Sequence, residues 1–155
     1  MGLTQSKIRY SLNKAMTATR AEISALFRDR GLRCTSQRFA VLQHLLKHPC
    51  HPTAEEILGV VNRRDPRVSR ATVYNSLHAL VESGLVREVK LGGDATRFEP
   101  HIERHHHFIC DRCNRIEDID WFETREITHR PGVKPRSIRA LVMQGLCELC
   151  LAHTK

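Results

Sequence analysis

In the first half of the chain, apolar positions recur at helical spacing in four successive blocks, each opened by a hydroxyl residue suited to capping. Thr19 followed by Glu22 has the form of a capping box, and Ile23, Leu26 and Phe27 make an apolar stripe before Gly31 offers a stop, which predicts a helix over Thr19 to Arg30. Thr35 opens a second helix whose Phe39, Leu42, Leu45 and Leu46 keep the spacing until His48-Pro49. Thr53 with Glu56 repeats the capping box ahead of Ile57, Val60 and Val61, and Asp65-Pro66 closes that element. Ser69 with Thr72 then starts a fourth helix that runs to Gly84. After it the pattern changes to Leu85, Val86, Val89 and Leu91, a Gly92-Gly93-Asp94 turn, and Thr96 to Glu99, which predicts a hairpin. Helices followed by a hairpin give the order of a winged helix.

The second half alternates in His105 to Cys110, Arg115 to Asp120 and Ser137 to Met143, around a short helical stretch from Trp121 to Arg130. The expected fold class is therefore α+β. A basic arm (1–18) precedes a winged-helix domain (19–99), and a hinge (100–104) leads to a small α/β lobe (105–155). A lobe that small buries little apolar surface and calls for a metal staple or a dimer interface. No apolar run reaches the roughly 18 residues that a membrane span requires, and Lys7, Arg9, Lys14 and Arg20 lie in a stretch without a secretory apolar core, so a cytoplasmic protein is expected. Met1 to Ser6 matches a bare myristoylation pattern that nothing else in the chain supports.

The formal charge of +8 favours a polyanionic partner. Its placement matters more than its size. On the fourth predicted helix Val73, Leu77, Leu80 and Val81 fall on one buried face, leaving Arg70, Tyr74, Asn75 and His78 on the other. Arginine pairs with guanine, asparagine with adenine, and tyrosine with phosphate or a thymine methyl. A solvated face of an ordinary bundle helix would look similar, and the wing that follows tips the reading towards double-stranded DNA.

Cys110-x-x-Cys113 and Cys147-x-x-Cys150 form two knuckles able to close a tetrahedron around a structural zinc ion. A redox pair would need a βαβ setting, and disulfides an oxidising compartment. Cys34 and Cys50 stand apart from these pairs and are expected as small core or surface residues. Just before Cys110, strand periodicity puts His105 and His107 on one face, about 7 Å apart along the strand, with His106 on the other. Glu99 at the end of the wing, Asp118 on the next strand and His51 before the third helix are candidate further ligands. A surface histidine patch is the plainer alternative. His106, Glu103, Glu123 and His129 remain as weaker ligands. The set suits iron(II), manganese or zinc. A zinc hydrolase also uses histidines and carboxylates, but the chain has no H-E-x-x-H pattern and no nucleophile arrangement, and five ligands leave little room for a small-molecule substrate. A zinc-stabilised protein-binding module is a further alternative.

Gly31-Leu32-Arg33-Cys34-Thr35-Ser36-Gln37-Arg38, His51-Pro52-Thr53-Ala54-Glu55-Glu56-Ile57, Ala71-Thr72-Val73-Tyr74-Asn75, Ser83-Gly84-Leu85-Val86, Arg97-Phe98-Glu99 and His105 to Cys113 together resemble the ferric uptake regulator family. The resemblance runs from about Thr19 to Cys150. It implies a homodimeric, metal-dependent transcription repressor that binds an inverted-repeat operator when its regulatory metal is bound, with the second lobe serving as the dimerisation domain. It further implies a regulatory site of His51, Glu99, His105, His107 and Asp118 for Fe2+, Mn2+ or Zn2+, and structural Zn2+ on Cys110, Cys113, Cys147 and Cys150. DNA contacts would be Arg33 in the minor groove and Tyr74 and Asn75 in the major groove, beside Arg70. The context of His51 and Asn75 is similar to the peroxide-responsive branch, which usually carries aspartate where this chain has Glu99. Zinc sensing is the other alternative within the family. The further accessory metal site of many members is incomplete here, because the strand from Ser137 to Met143 lacks the histidine often found there.

Overall fold

The structure is a computed structural model and describes residues 18–48, 50–123 and 138–153. The chain divides into two compact units, Met1–Ile102 and Glu103–Lys155. The expected basic arm, apart from Ala18, lies outside the described residues.

In the first unit, α1 (Arg20–Asp29), α2 (Ser36–Lys47), α3 (Ala54–Arg64) and α4 (Arg70–Glu82) each begin where a hydroxyl side chain accepts an otherwise orphaned amide. The caps are Thr19, Thr35, Thr53 and Ser69, and the boxes at Thr19/Glu22 and Thr53/Glu56 are both closed. Helices α1 and α4 end alike. At Gly31 (φ 63°) and Gly84 (φ 68°) the chain turns left-handed, and Leu32 and Leu85 donate back to the carbonyls of Phe27 and Leu80 at 2.9 and 3.0 Å. This Schellman closure selects glycine because a Cβ is strained at positive φ. The stripes of the four helices meet in one core built on Ile23, Phe27, Leu42, Leu45, Ile57, Leu77 and Leu80, all nearly inaccessible to solvent, whereas Leu26, expected on the stripe of α1, is exposed.

Strands β1 (Arg87–Val89) and β2 (Arg97–Glu99) pair antiparallel and form the wing. They are shorter than the alternation suggests at their start. The amides of Leu85 and Val86 both point to the Leu80 carbonyl, so these two apolar residues finish the helix and fill the core before the ladder begins. The other edge of β2 receives the His51-Pro52-Thr53 segment: Phe98 N–H donates to the Pro52 carbonyl at 2.9 Å, and Thr53 bridges Arg97.

In the second unit, β3 (His105–Cys110) is central, with β4 (Ile116–Asp120) antiparallel on one side and β5 (Val142–Gly145) parallel on the other. A five-residue helix, α5 (Glu148–Ala152), follows. Two expectations change here. The strand expected from Ser137 to Met143 starts at Val142: the Ile138 carbonyl accepts from Arg104, and Leu141 N–H donates to Nδ1 of His106 at 3.0 Å, so side chains take backbone groups that a ladder would use. Helix α5 was not expected, since five residues are too few to show a period. The helical stretch expected over Trp121 to Arg130 lies mostly outside the described residues, as does His129. No helix among the described residues is long and apolar enough to cross a membrane.

Candidate functional site

The cysteine knuckles come together as their spacing demands. The β3–β4 turn carries Cys110 and Cys113. It is tightened by the Asn114 amide donating to the Cys110 carbonyl (2.9 Å) and by Asn114 itself at φ 56°, a conformation that asparagine tolerates. The second knuckle places Cys147 at the N-cap of α5, and its amide donates to the Cys110 sulfur at 3.3 Å. One sulfur from each of Cys110, Cys113, Cys147 and Cys150 lies within 4.8 Å of the other three, and the Cys113 and Cys147 sulfurs are 3.8 Å apart. A tetrahedron with Zn–S bonds near 2.3 Å has edges of about 3.8 Å. The residues therefore fit zinc. The Cys147 amide brings the Cys110 thiol down to about 6, whereas burial pushes Cys150 up to about 12. Cys34 and Cys50 are free and exposed.

In the second unit, His105, His106 and His107 are all buried, which removes the surface-patch alternative. The Nε2 atoms of His105 and His107 lie 3.0 Å apart, at 3.6 and 3.9 Å from Oδ1 of Asp118. Register explains the convergence, because β4 sets Asp118 directly opposite His107. The Glu103 carbonyl lies 2.9 Å from Nδ1 of His105. A carbonyl accepts only, so it fixes the proton on Nδ1 and turns the Nε2 lone pair towards His107. Cis-related ligands about 2.1 Å from a divalent ion are separated by about 3 Å, the spacing of these two nitrogens.

His106 does something else. Its Nδ1 accepts from Leu141 N–H, its Nε2 lies 3.2 Å from the Phe122 carbonyl, and its ring stacks on Trp121 at 4.5 Å. Arg104 covers Trp121 at 3.8 Å from the ring centre. Both ring nitrogens are engaged in tying β3 to its neighbours, so His106 is a structural residue and leaves the list of weaker ligands. Glu103 contributes its backbone carbonyl, and Glu123 is exposed.

In the first unit, Nε2 of His51 lies 2.7 Å from Oε2 of Glu99, both buried. Arg97 donates to the His51 carbonyl at 2.7 Å, two residues before Thr53 caps α3. The other carboxylate oxygen of Glu99 accepts from Arg87 Nε at 2.6 Å and from its Nη2. Arg87 escaped the sequence reading. The signal was available: folding the hairpin about Gly93 sets Arg87 opposite Glu99, as observed.

Arg33, Arg70, Tyr74 and Asn75 are exposed, and Val73, Leu77 and Leu80 line the buried side of α4 as expected, with Val81 only half-buried against the same core. Ser76 joins that side, its hydroxyl donating to the Thr72 carbonyl at 2.7 Å. A feature not foreseen is Glu55 on α3. It accepts from Arg70 Nε at 2.9 Å and Nη2, and from the Tyr74 hydroxyl at 3.0 Å, and these bonds hold its carboxyl below the usual range, Arg70 most strongly.

A helical unit with a wing, joined in one chain to a small sheet carrying a zinc-type knuckle pair and a histidine–carboxylate set, defines a metal-binding regulator of the winged-helix class. The model of the ferric uptake regulator family matches residues 29–138, and the chain belongs to that family of metal-dependent, DNA-binding transcription regulators, which are not enzymes. The peroxide operon regulator of Bacillus subtilis (strain 168) is 36% identical over 127 residues, covering 79% of this chain and 87% of that protein. The peroxide-responsive repressor PerR of Staphylococcus aureus (strain Mu50) is 37% identical over 106 residues, covering 68% and 72%. Among solved structures, a zinc uptake regulator complexed with zinc and DNA shares the fold with a TM-score of 0.64 at 23% identity, covering 97% of this chain and 98% of that one.

Proposed function

We propose that the protein is a cytoplasmic repressor that binds an inverted-repeat operator as a homodimer when His51, Glu99, His105, His107 and Asp118 share one regulatory divalent ion. The observation that carries this reading is the convergence of His105 and His107 at 3.0 Å with Asp118 of the neighbouring strand facing both, the tautomer of His105 being set by the Glu103 carbonyl. The ion supplies a positive charge with affinity for nitrogen and oxygen donors, and Fe2+, Mn2+ and Zn2+ all satisfy that description. His51 and Glu99 hold their end on the helical unit, and His105, His107 and Asp118 hold theirs on the sheet. Coordination by both sets fixes one unit against the other, and with it the separation of the two α4 helices in a dimer. Because operator half-sites stand at fixed helical phase, DNA and metal then favour the same state and strengthen each other's binding. Structural Zn2+ on Cys110, Cys113, Cys147 and Cys150 supports the dimerising lobe. Arg33 enters the minor groove, and Arg70, Tyr74 and Asn75 reach the major groove.

Anaerobic titration tests this. A duplex enriched from a random pool by metal-loaded protein is expected to bind on addition of Fe2+, Mn2+ or Zn2+ and to be released by a chelator that leaves the cysteine-bound zinc in place. Binding indifferent to all three ions would overturn the proposal. Similarity to two peroxide regulators favours a second reading, in which the same site also responds to hydrogen peroxide. Mass spectrometry of the Fe2+-loaded protein after peroxide treatment separates the two. A gain of one oxygen on a peptide carrying His51, or His105 and His107, supports peroxide sensing, and unmodified peptides leave metal sensing alone.

A further inference from the structure

Glu55 stands in the first turn of α3 and is itself exposed, yet it engages two residues of the neighbouring α4 at once. One oxygen accepts from Nε and Nη2 of Arg70 and lies 3.0 Å from the Tyr74 hydroxyl, while the other lies 3.2 Å from that hydroxyl. The Arg70 guanidinium sits 5.9 Å from the centre of the Tyr74 ring, so arginine, tyrosine and carboxylate form one cluster on the solvent side of the helix. A carboxylate on a surface meant for a polyanion is out of place on electrostatic grounds. It repels backbone phosphate, and it satisfies the donors that a phosphate would otherwise recruit.

We propose that Glu55 is a specificity-determining residue of the DNA-binding face: it clamps Arg70 and Tyr74 in the free protein, so that phosphate alone does not recruit them. A duplex engages the helix fully only when its base edges offer acceptors that replace the carboxylate, such as the paired acceptors of guanine for Arg70. Non-specific binding, which rests on phosphate neutralisation, lacks that compensation. The inference rests on the DNA-binding role of α4 proposed above, and it adds a residue from α3 that restrains that role.

The test compares Glu55→Gln with wild type and with Asp29→Asn, an exposed site at the end of α1 that changes net charge equally. Each metal-loaded protein is titrated against a random-sequence 30-bp duplex and against the duplex enriched by wild type, over a range of salt. Glu55→Gln is expected to bind the random duplex about three- to tenfold more tightly, to lose selectivity by a similar factor, and to steepen the salt dependence by about one phosphate, a slope change near 0.9. Asp29→Asn should shift affinity for both duplexes together and leave the slope unchanged. Equal behaviour of the two variants, or an unchanged slope in Glu55→Gln, overturns the role of Glu55. Failure of wild type to bind either duplex in a salt-dependent way would instead overturn the DNA-binding role itself.

Discussion

The two units hold themselves together by different means. The helical unit buries a continuous apolar cluster from Ile23 to Phe98, with each helix capped at its N-terminus and α1 and α4 closed by a glycine at the other end. Among the described residues of the sheet unit, the buried set is His105, His106, His107, Ile109, Cys110 and Cys147, five of the six being groups that bind metal or donate hydrogen bonds. Hydrophobic burial stabilises the first by area, at about 25 cal/mol per Å2. The second depends on whether its polar interior is satisfied, since an unsatisfied buried polar group costs about 1–3 kcal/mol. The contrast separates a unit stabilised by apolar burial from one whose interior is built of groups able to bind metal.

The sharpest way to break this comparison is to remove zinc. Small zinc domains draw about 10–16 kcal/mol from their metal at neutral pH. Complete extraction, or Cys110→Ser, is expected to abolish amide protection in β3 to β5 and to dissociate the proposed dimer, while the helical signal of α1 to α4 persists; hydrogen exchange and sedimentation read both effects. A second unit that keeps its protection without zinc would remove the distinction.

Phe27→Ala should produce the largest loss in the helical unit, about 3–5 kcal/mol, because an inaccessible ring leaves a cavity that the surrounding core closes only in part. Thermal or denaturant unfolding followed by helical signal measures it, and the cysteine-bound zinc should be unaffected. His106→Leu keeps comparable volume but strands the Leu141 amide and the Phe122 carbonyl, so a loss of about 1–3 kcal/mol confined to the sheet unit is expected. If a leucine there proved neutral or stabilising, the polar interior would be incidental. Thr53→Ala should cost about 1 kcal/mol as a lost cap on α3. A much larger loss would mean that the segment bearing His51 leans on that cap more than its hydrogen bonds indicate.

Legibility from sequence follows the same division. Caps, glycine stops and periodic stripes are local signals, so the four helices and their ends were readable, and Gly92-Gly93 marked the turn of the wing. The cysteine pairs were readable because two short spacings carry the geometry of the knuckles. What escaped were contacts that depend on register or on packing between elements. Arg87 meets Glu99 only through hairpin pairing, Glu55 meets Arg70 and Tyr74 only through the angle between α3 and α4, and His106 is committed by a stretch before β5 that has no period of its own. Period two did separate His106 from His105 and His107, although it could not say what occupied the other face.

The most direct test of the central claim is His51→Ala, assayed for DNA binding with and without the regulatory ion. The account predicts a folded dimer that retains its cysteine-bound zinc and shows no rise in affinity for the enriched duplex when Fe2+, Mn2+ or Zn2+ is added. An ion-dependent rise equal to that of wild type would contradict it.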